Sequence, residues 1–222
     1  PIIGNVSLLL LLPMVVAWRS IDRPLGSAAM ATAMALRPSL GLFLIWQLLR
    51  RRWRAAAWTI GAGIVLMLLA LPFVGLGGHF DYLAVFRFLE LPTGTHEYRV
   101  IGSLLELLGA GEPAVTLGRA AGIVVGLGAI VLSLRRDREV GFMVMLCASL
   151  LVTPLWWSHH LATLILPAAL LAQRLSAPLL LLPMIAWVPV LAPLVVVTTI
   201  VLLFRVKETP EVQRADPVVA PA

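Results

Sequence analysis

Apolar runs separated by short basic turns make up most of this sequence. The runs cover residues 2–18, 25–49, 55–74, 115–134, 140–155, 161–172 and 179–204. Since an α-helix needs about 20 apolar residues to cross a bilayer, this pattern predicts an all-α, polytopic membrane protein. We expect a transmembrane domain at 1–204 that includes an extracytoplasmic loop at 75–114, followed by a disordered tail at 205–222.

The run at 25–49 carries basic residues at both ends, although a single span cannot begin and end on one side of a membrane. Proline clashes with the preceding helical turn and disfavours helix at the residue before it. The pair Arg37-Pro38 lies in the middle of this run, so the sequence predicts a break there and a re-entrant pair of short helices. Backbone of this kind is found at membrane depth only where protein or a wet cavity surrounds it.

Charged turns predict which side of the membrane each loop occupies. The arginine clusters at 50–54 and 135–138 are expected on the cytoplasmic side. The acidic segment at 75–112 is expected on the extracytoplasmic side, with an interfacial amphipathic helix beginning near Phe80. The last run, 179–204, is either one kinked span or a hairpin, and we favour the hairpin. Glycines spaced four residues apart at 118, 122 and 126 predict close packing of one helix on another.

Composition excludes several other classes of protein. With 60% hydrophobic residues, 13% charged residues and a mean hydropathy of +0.99, the chain is not a soluble single domain. The net charge is +6, but the basic residues lie between apolar runs, which indicates membrane orientation and not nucleic-acid binding. Cys147 is the only cysteine, so no disulfide scaffold is expected. No nucleotide-binding loop or soluble-hydrolase motif is present, and no cofactor is expected.

Ionisable side chains at membrane depth are the candidates for function, because they are costly there. Arg37, beside the predicted break, has a guanidinium suited to binding an anion, or is a snorkelling arginine paired within the protein. His159 and His160 follow two tryptophans and are suited to binding a phosphate or sugar hydroxyl, or belong to an interfacial turn. Their side chains diverge by about 100° in a helix, which disfavours a metal site. Asp81 and Arg99 are weaker sugar-binding candidates, or simply solvated charges.

Four segments of the chain resemble one known family. Residues 4–7 (GNVS) resemble its GQxN-type stretch, and residues 35–38 (ALRP) resemble its AxKxxP-like segment. Residues 48–56 are similar to its LLRRRWRAA turn, and residues 152–161 (VTPLWWSHHL) resemble its VSPxSWxHHL element. The family is glycosyltransferase family 87, the polyprenol-phosphate-mannose-dependent α-mannosyltransferases of the GT-C fold.

This resemblance, over about residues 1 to 172, implies transfer of a hexose, mannose above all, from a polyprenyl-phosphate donor. The acceptor is a cell-envelope glycan or glycolipid at the outer face of a bacterial plasma membrane. The partners implied are the lipid-linked donor, the acceptor and membrane lipids, without nucleic acid. Arg37, His159 and His160 then stabilise the leaving phosphate, with Arg99 as a weaker candidate, and Asp81 is a weak candidate for the general base.

Two departures from the family pattern bear on the acceptor and on the base. Residues 97–104 (EYRVIGSL) occupy the place of an expected NQSL-like element. The acidic residue that GT-C enzymes use as base is expected before Pro1, in an N-terminal part that we expect to precede this sequence.

Two other classes of function compete with the enzyme hypothesis. A membrane transporter or lipid flippase would equally use a broken helix and an intramembrane arginine, although Arg37-Pro38 has no corresponding break in a second half. A non-catalytic membrane subunit is the other alternative, in which such polar residues contact only protein.

Overall fold

Every regular element that the structure describes is helical, as the sequence predicts. The computed structural model describes residues 6–88, 113–153, 158–188 and 191–207. The α-helices are α1 (Val6–Arg19), α2 (Pro24–Leu36), α3 (Leu42–Leu49), α4 (Trp53–Phe88), α5 (Pro113–Ser133), α6 (Arg138–Val152), α7 (Ile165–Arg174), α8 (Leu182–Ile185) and α9 (Ala192–Arg205). Short 3₁₀ helices occupy Pro38–Gly41, Ser158–Leu164 and Ala177–Leu181.

Helix α6 forms the centre of the bundle. All of its residues from 140 to 151 are buried, which is the mark of a helix that neighbours surround on every side. Its first turn is capped by Asp137, whose Oδ1 accepts a hydrogen bond from the backbone N–H of Val140 at 2.7 Å; a side-chain acceptor here satisfies an N–H that the helix leaves free.

Helix α5 packs closely against α6 at a glycine. A Cβ at Gly126 would lie 2.7 Å from Val152 Cγ2 and 3.3 Å from the carbonyl oxygen of Ala148. Only a residue without a side chain allows the two helices to approach this far. This is the packing role that the sequence predicts for Gly126.

The break predicted at Arg37-Pro38 is confirmed. Helix α2 ends at Leu36, Arg37 adopts an extended backbone with φ −145° and ψ 97°, and Pro38 opens the 3₁₀ helix that leads into α3. The two arms return to one end of the bundle, because Asp22, just before α2, pairs with Arg52, just after α3, at 2.8 Å. The run at 25–49 is therefore a helical hairpin with Arg37 at its tip.

Helix α4 contains a kink where the predicted apolar span ends. Gly75 has φ +70° and ψ 168°, a left-handed conformation that glycine adopts without steric cost, and the backbone beyond it is helical to Phe88. The first part of the predicted loop at 75–114 is thus helical, while residues 89–112 lie outside the described residues. Within the described ranges, Trp53–Gly78 and Thr116–Ser133 are the helices long and apolar enough to cross a membrane.

The C-terminal run is anchored twice at the turn between α5 and α6. Arg174, at the end of α7, pairs with Glu139 at 3.3 Å. Arg136 donates to the carbonyl oxygen of Val206, after α9, at 2.6 Å. Residues 175–206 therefore leave and return to the same end of the bundle, in agreement with the hairpin that the sequence favours. The disordered tail predicted at 205–222 begins too early, since Arg205 ends α9 and Val206 is buried; residues 208–222 lie outside the described residues.

Candidate functional site

Arg37 is a buried cation at the tip of the hairpin. The residue is only 6% exposed, because the backbone break turns its side chain towards α6. Its Nε donates to Ser39 Oγ at 3.0 Å, and its Nη2 makes a long hydrogen bond to Thr153 Oγ1 at 3.5 Å. Thr153 follows the last residue of α6, 116 positions further along the chain. The contact joins the ALRP segment to the start of the VTPLWWSHHL segment.

The partners of Arg37 are hydroxyls and leave part of its guanidinium unused. The hydroxyl of Thr153 donates its own proton to the carbonyl oxygen of Ser149, so it faces Arg37 as an acceptor. Nη1 is buried and has no hydrogen-bond partner among the described residues, and no described carboxylate forms an ion pair with Arg37. A buried charge is normally paired, so this one lacks its counter-ion within the described part of the chain.

A second group of arginines lies at the opposite end of the bundle, where each of them donates to a carboxylate or carbonyl oxygen. We define the basic end as Asp22, Arg50, Arg52, Arg136 and Arg138. Asp22 accepts from Arg52 at 2.8 Å and also pairs with Arg138. Arg50 donates to the carbonyl oxygens of Arg136 and Asp137 at 2.8 and 3.4 Å. Partial burial and the nearby Arg52 lower the pKa of Arg50, while Asp137 and Asp22 oppose that shift.

Helix lengths separate these two arginine sites. Helix α6 has 15 residues and connects the basic end to Thr153, a rise of about 22 Å. Helix α2 has 13 residues and connects Arg23 to Arg37, a rise of about 20 Å. Both routes place Arg37 about 20 Å from the basic end, a distance close to two thirds of a bilayer core of about 30 Å.

The structure describes one of the two candidate histidines in full. His160 lies half-buried on the 3₁₀ helix Ser158–Leu164, where its carbonyl oxygen accepts a hydrogen bond from Thr163 at 2.8 Å. Leu161 and Leu164 anchor this helix in the core, and α1 packs against it. The described part of this turn, from Ser158 onward, is thus helical. The side chain of His159 lies outside the described residues.

The loop candidate that the structure describes, Asp81, forms no ion pair with Arg37. Asp81 is exposed on the helix beyond Gly75 and forms no ion pair with another described residue. Arg99 lies outside the described residues. The described part of the chain holds no group of His, Cys, Asp or Glu side chains that could bind a metal ion. The candidate site therefore centres on Arg37, with Ser39 and Thr153.

Sequence reasoning did not single out Ser39 or Thr153. Thr153 lies in a segment quoted above for its resemblance and Ser39 directly follows another, but only the fold shows that their hydroxyls converge on one guanidinium. The available signal was an arginine at membrane depth without an acid in its own hairpin, since such a residue needs partners from elsewhere.

Comparison with known proteins identifies the family. The sequence model of glycosyltransferase family 87 matches residues 2–158. The chain belongs to glycosyltransferase family 87. Membership implies transfer of a sugar from a donor to an acceptor, and the matched region contains Arg37, Ser39 and Thr153. No curated protein and no solved structure matches the chain significantly.

Proposed function

We propose that this family 87 member is a polytopic membrane hexosyltransferase of the GT-C type. It transfers a hexose, for which mannose is our choice, from a polyprenyl phosphate to a glycan or glycolipid of the cell envelope. Two long apolar helices support a membrane location. The membrane we propose is a bacterial plasma membrane, as the family resemblance implies. Family membership favours an enzyme, and no described feature favours the transporter alternative.

The observation that carries this proposal is the buried charge of Arg37, which has no counter-ion among the described residues. A cation held in a low-dielectric site is costly unless an anion binds it. Its Nη1 is buried without a described partner, and a guanidinium binds phosphate oxygens through parallel N–H groups. A phosphate that arrives on a lipid reaches such a site from within the membrane, which suits a polyprenyl-phosphate sugar better than a soluble nucleotide sugar.

The proposed reaction displaces the lipid phosphate from the sugar. The acceptor hydroxyl attacks the anomeric carbon, a base takes its proton, and the bond from that carbon to the phosphate oxygen breaks. The leaving polyprenyl phosphate gains one negative charge, which Arg37 stabilises. His159 and His160 donate hydrogen bonds to the same phosphate in this scheme, and Arg99 is the weaker candidate for that task.

The base is a carboxylate in this scheme. The described acids are Asp22, Asp81, Asp137 and Glu139. Three of them lie in or beside the basic end, about 20 Å from Arg37. Asp81, beyond the Gly75 kink, lies outside the basic end and stays the weak candidate for the base that the sequence provides.

Orientation follows from the positive-inside rule. Basic residues collect in cytoplasmic loops, so the basic end faces the cytoplasm and Arg37 lies in the outer half of the membrane. Single cysteines in place of the exposed Arg135 and Gly77, in a Cys147→Ser background, test this. An impermeant thiol reagent added to intact cells should label position 77 and not position 135. The reverse pattern would invert the proposed topology.

A donor comparison tests the proposed function directly. Membranes containing the full chain are supplied with radiolabelled polyprenyl-phosphate mannose or with nucleoside-diphosphate mannose. We expect label in a glycan or glycolipid from the lipid-linked donor alone. Transfer from the nucleotide sugar alone would overturn the donor assignment. Movement of labelled lipid across the membrane without transfer would favour a flippase.

A further inference from the structure

We propose that Thr153 is a positioning residue, which orients the Arg37 guanidinium so that Nη1 faces the phosphate of the donor. The inference rests on the proposed function, because it takes that phosphate as the ligand of Arg37. Thr153 is not among the candidate residues that the sequence provides. In this inference its hydroxyl contributes to donor binding by orienting Arg37.

The three nitrogens of Arg37 divide into two that are held and one that is left over. Ser39 holds Nε, Thr153 holds Nη2, and Nη1 is buried without a described partner. A planar guanidinium held at two of its nitrogens has a fixed plane and a fixed direction. A donor group oriented before the ligand arrives needs little reorganisation during the reaction.

Thr153 differs from Ser39 in where it is anchored. Ser39 lies two residues from Arg37 on the same hairpin, so it moves with the arginine. Thr153 follows α6, the central helix whose residues 140–151 are all buried, and the Thr153 hydroxyl donates its proton to the carbonyl oxygen of Ser149. Thr153 therefore fixes the hairpin tip relative to the core. It also precedes the segment that carries the histidines, so it relates Arg37 to that segment.

The test compares three threonine variants of the full chain. Thr153→Val keeps the branched shape and removes the hydroxyl, whereas Thr153→Ser keeps the hydroxyl. Thr199→Val is the matched control, because the buried Thr199 donates to the carbonyl of Val195 four residues earlier, as Thr153 does to Ser149. Thr199 makes no contact with Arg37 in the described structure.

With polyprenyl-phosphate mannose as substrate, kcat/KM should fall about tenfold in Thr153→Val, as expected for one lost hydrogen bond to a charged group. Thr153→Ser and Thr199→Val should stay within about twofold of the original protein. The inference would be overturned if kcat/KM were undiminished in Thr153→Val, or if Thr153→Val and Thr199→Val lost kcat/KM equally.

A double variant separates positioning from a general packing role. If Thr153 acts through Arg37, then Arg37→Ala combined with Thr153→Val should be no slower than Arg37→Ala alone. If the double variant instead loses kcat/KM by the product of the two single losses, Thr153 acts independently of Arg37. That outcome would overturn the inference even if Thr153→Val folds poorly.

Full activity in Arg37→Ala would instead refute the phosphate site itself, whatever Thr153 does. A slow Arg37→Ala beside an unimpaired Thr153→Val would refute positioning alone.

Discussion

The basic end and the hairpin tip use arginine in opposite ways. At the basic end, Asp22 pairs with both Arg52 and Arg138, and the guanidinium of Arg50 is bonded to two carbonyl oxygens. At the tip, Arg37 has two hydroxyl partners, and among the described residues it has no carboxylate partner and no hydrogen-bond partner for Nη1. Each arginine of the first group donates to a carboxylate or carbonyl oxygen of the protein, close to water. The second charge is buried, and within the described part of the chain it has no counter-ion.

This contrast distinguishes arginines that stabilise the fold from an arginine that we propose binds a ligand. Bonds from Arg50 and Arg52 tie α3 and the turn after it to neighbouring segments of the bundle. Trp46 strengthens the same junction, since its Nε1 donates to Ser133 Oγ at 3.2 Å and the Arg50 guanidinium lies 5.2 Å from its ring centre. Removing a charge at the basic end should therefore affect stability first, whereas removing the charge of Arg37 should affect activity first.

The largest expected effect is the loss of activity in Arg37→Ala. Loss of a hydrogen-bonded charge at the leaving phosphate should cost about 1.5–3 kcal/mol, which lowers turnover roughly tenfold to a hundredfold. Turnover is measured with polyprenyl-phosphate mannose at matched expression. Arg54→Ala, which changes an exposed arginine next to the basic end, is the control and should retain activity. Unchanged turnover in Arg37→Ala would place Arg37 among the structural arginines.

The second prediction compares stability in the two regions. Arg37→Met replaces a buried, unpaired charge with an apolar chain of similar length, and should raise the free energy of unfolding by about 1 kcal/mol. Arg50→Met removes two hydrogen bonds to carbonyl oxygens and should lower it by about 1–2 kcal/mol. Thermal unfolding in detergent, without donor, measures both. A destabilised Arg37→Met would mean that its hydroxyl contacts outweigh the cost of burying the charge.

Local chemistry explains which parts of this contrast the sequence could predict. The break at Arg37 follows from Pro38, whose ring acts on its immediate neighbours, and the return of the hairpin follows from basic residues at both of its ends. The pairing of Asp22 with Arg52 and Arg138, and the contact between Arg37 and Thr153, depend on how helices far apart in the sequence pack together. No single segment of the sequence determines that packing. The burial of residues 140–151 of α6 could not be predicted either, because an apolar run has the same sequence pattern whether lipid or protein surrounds it.

A smaller effect is expected from Asp22→Asn at the basic end. The Asp22 side chain is 51% exposed, and exposed ion pairs contribute about 0–1 kcal/mol each. Losing the charge that two arginines share should lower the free energy of unfolding by about 1 kcal/mol, and less at high salt because ions screen the pair. Unfolding curves at low and high salt test this. An equal loss at both salt concentrations would indicate that packing, and not charge, links these segments.

The smallest effect concerns the end of α3, beside the basic end but outside its ion pairs. The N–H groups of Arg51 and Arg52 bond to the carbonyls of Leu48 and Gln47 at 2.9 Å each, a pattern that requires a left-handed residue after the helix. That residue is Arg51, with φ 55°, where a side chain costs about 1 kcal/mol relative to glycine. Arg51→Gly should therefore raise the free energy of unfolding by less than about 1 kcal/mol, since glycine also gains entropy in the unfolded chain.

Turnover of Arg51→Gly with polyprenyl-phosphate mannose should not change, because Arg37 lies about 20 Å away. A stabilised variant with impaired turnover would show that the two regions are coupled, and the division between structural and ligand-binding arginines would then fail.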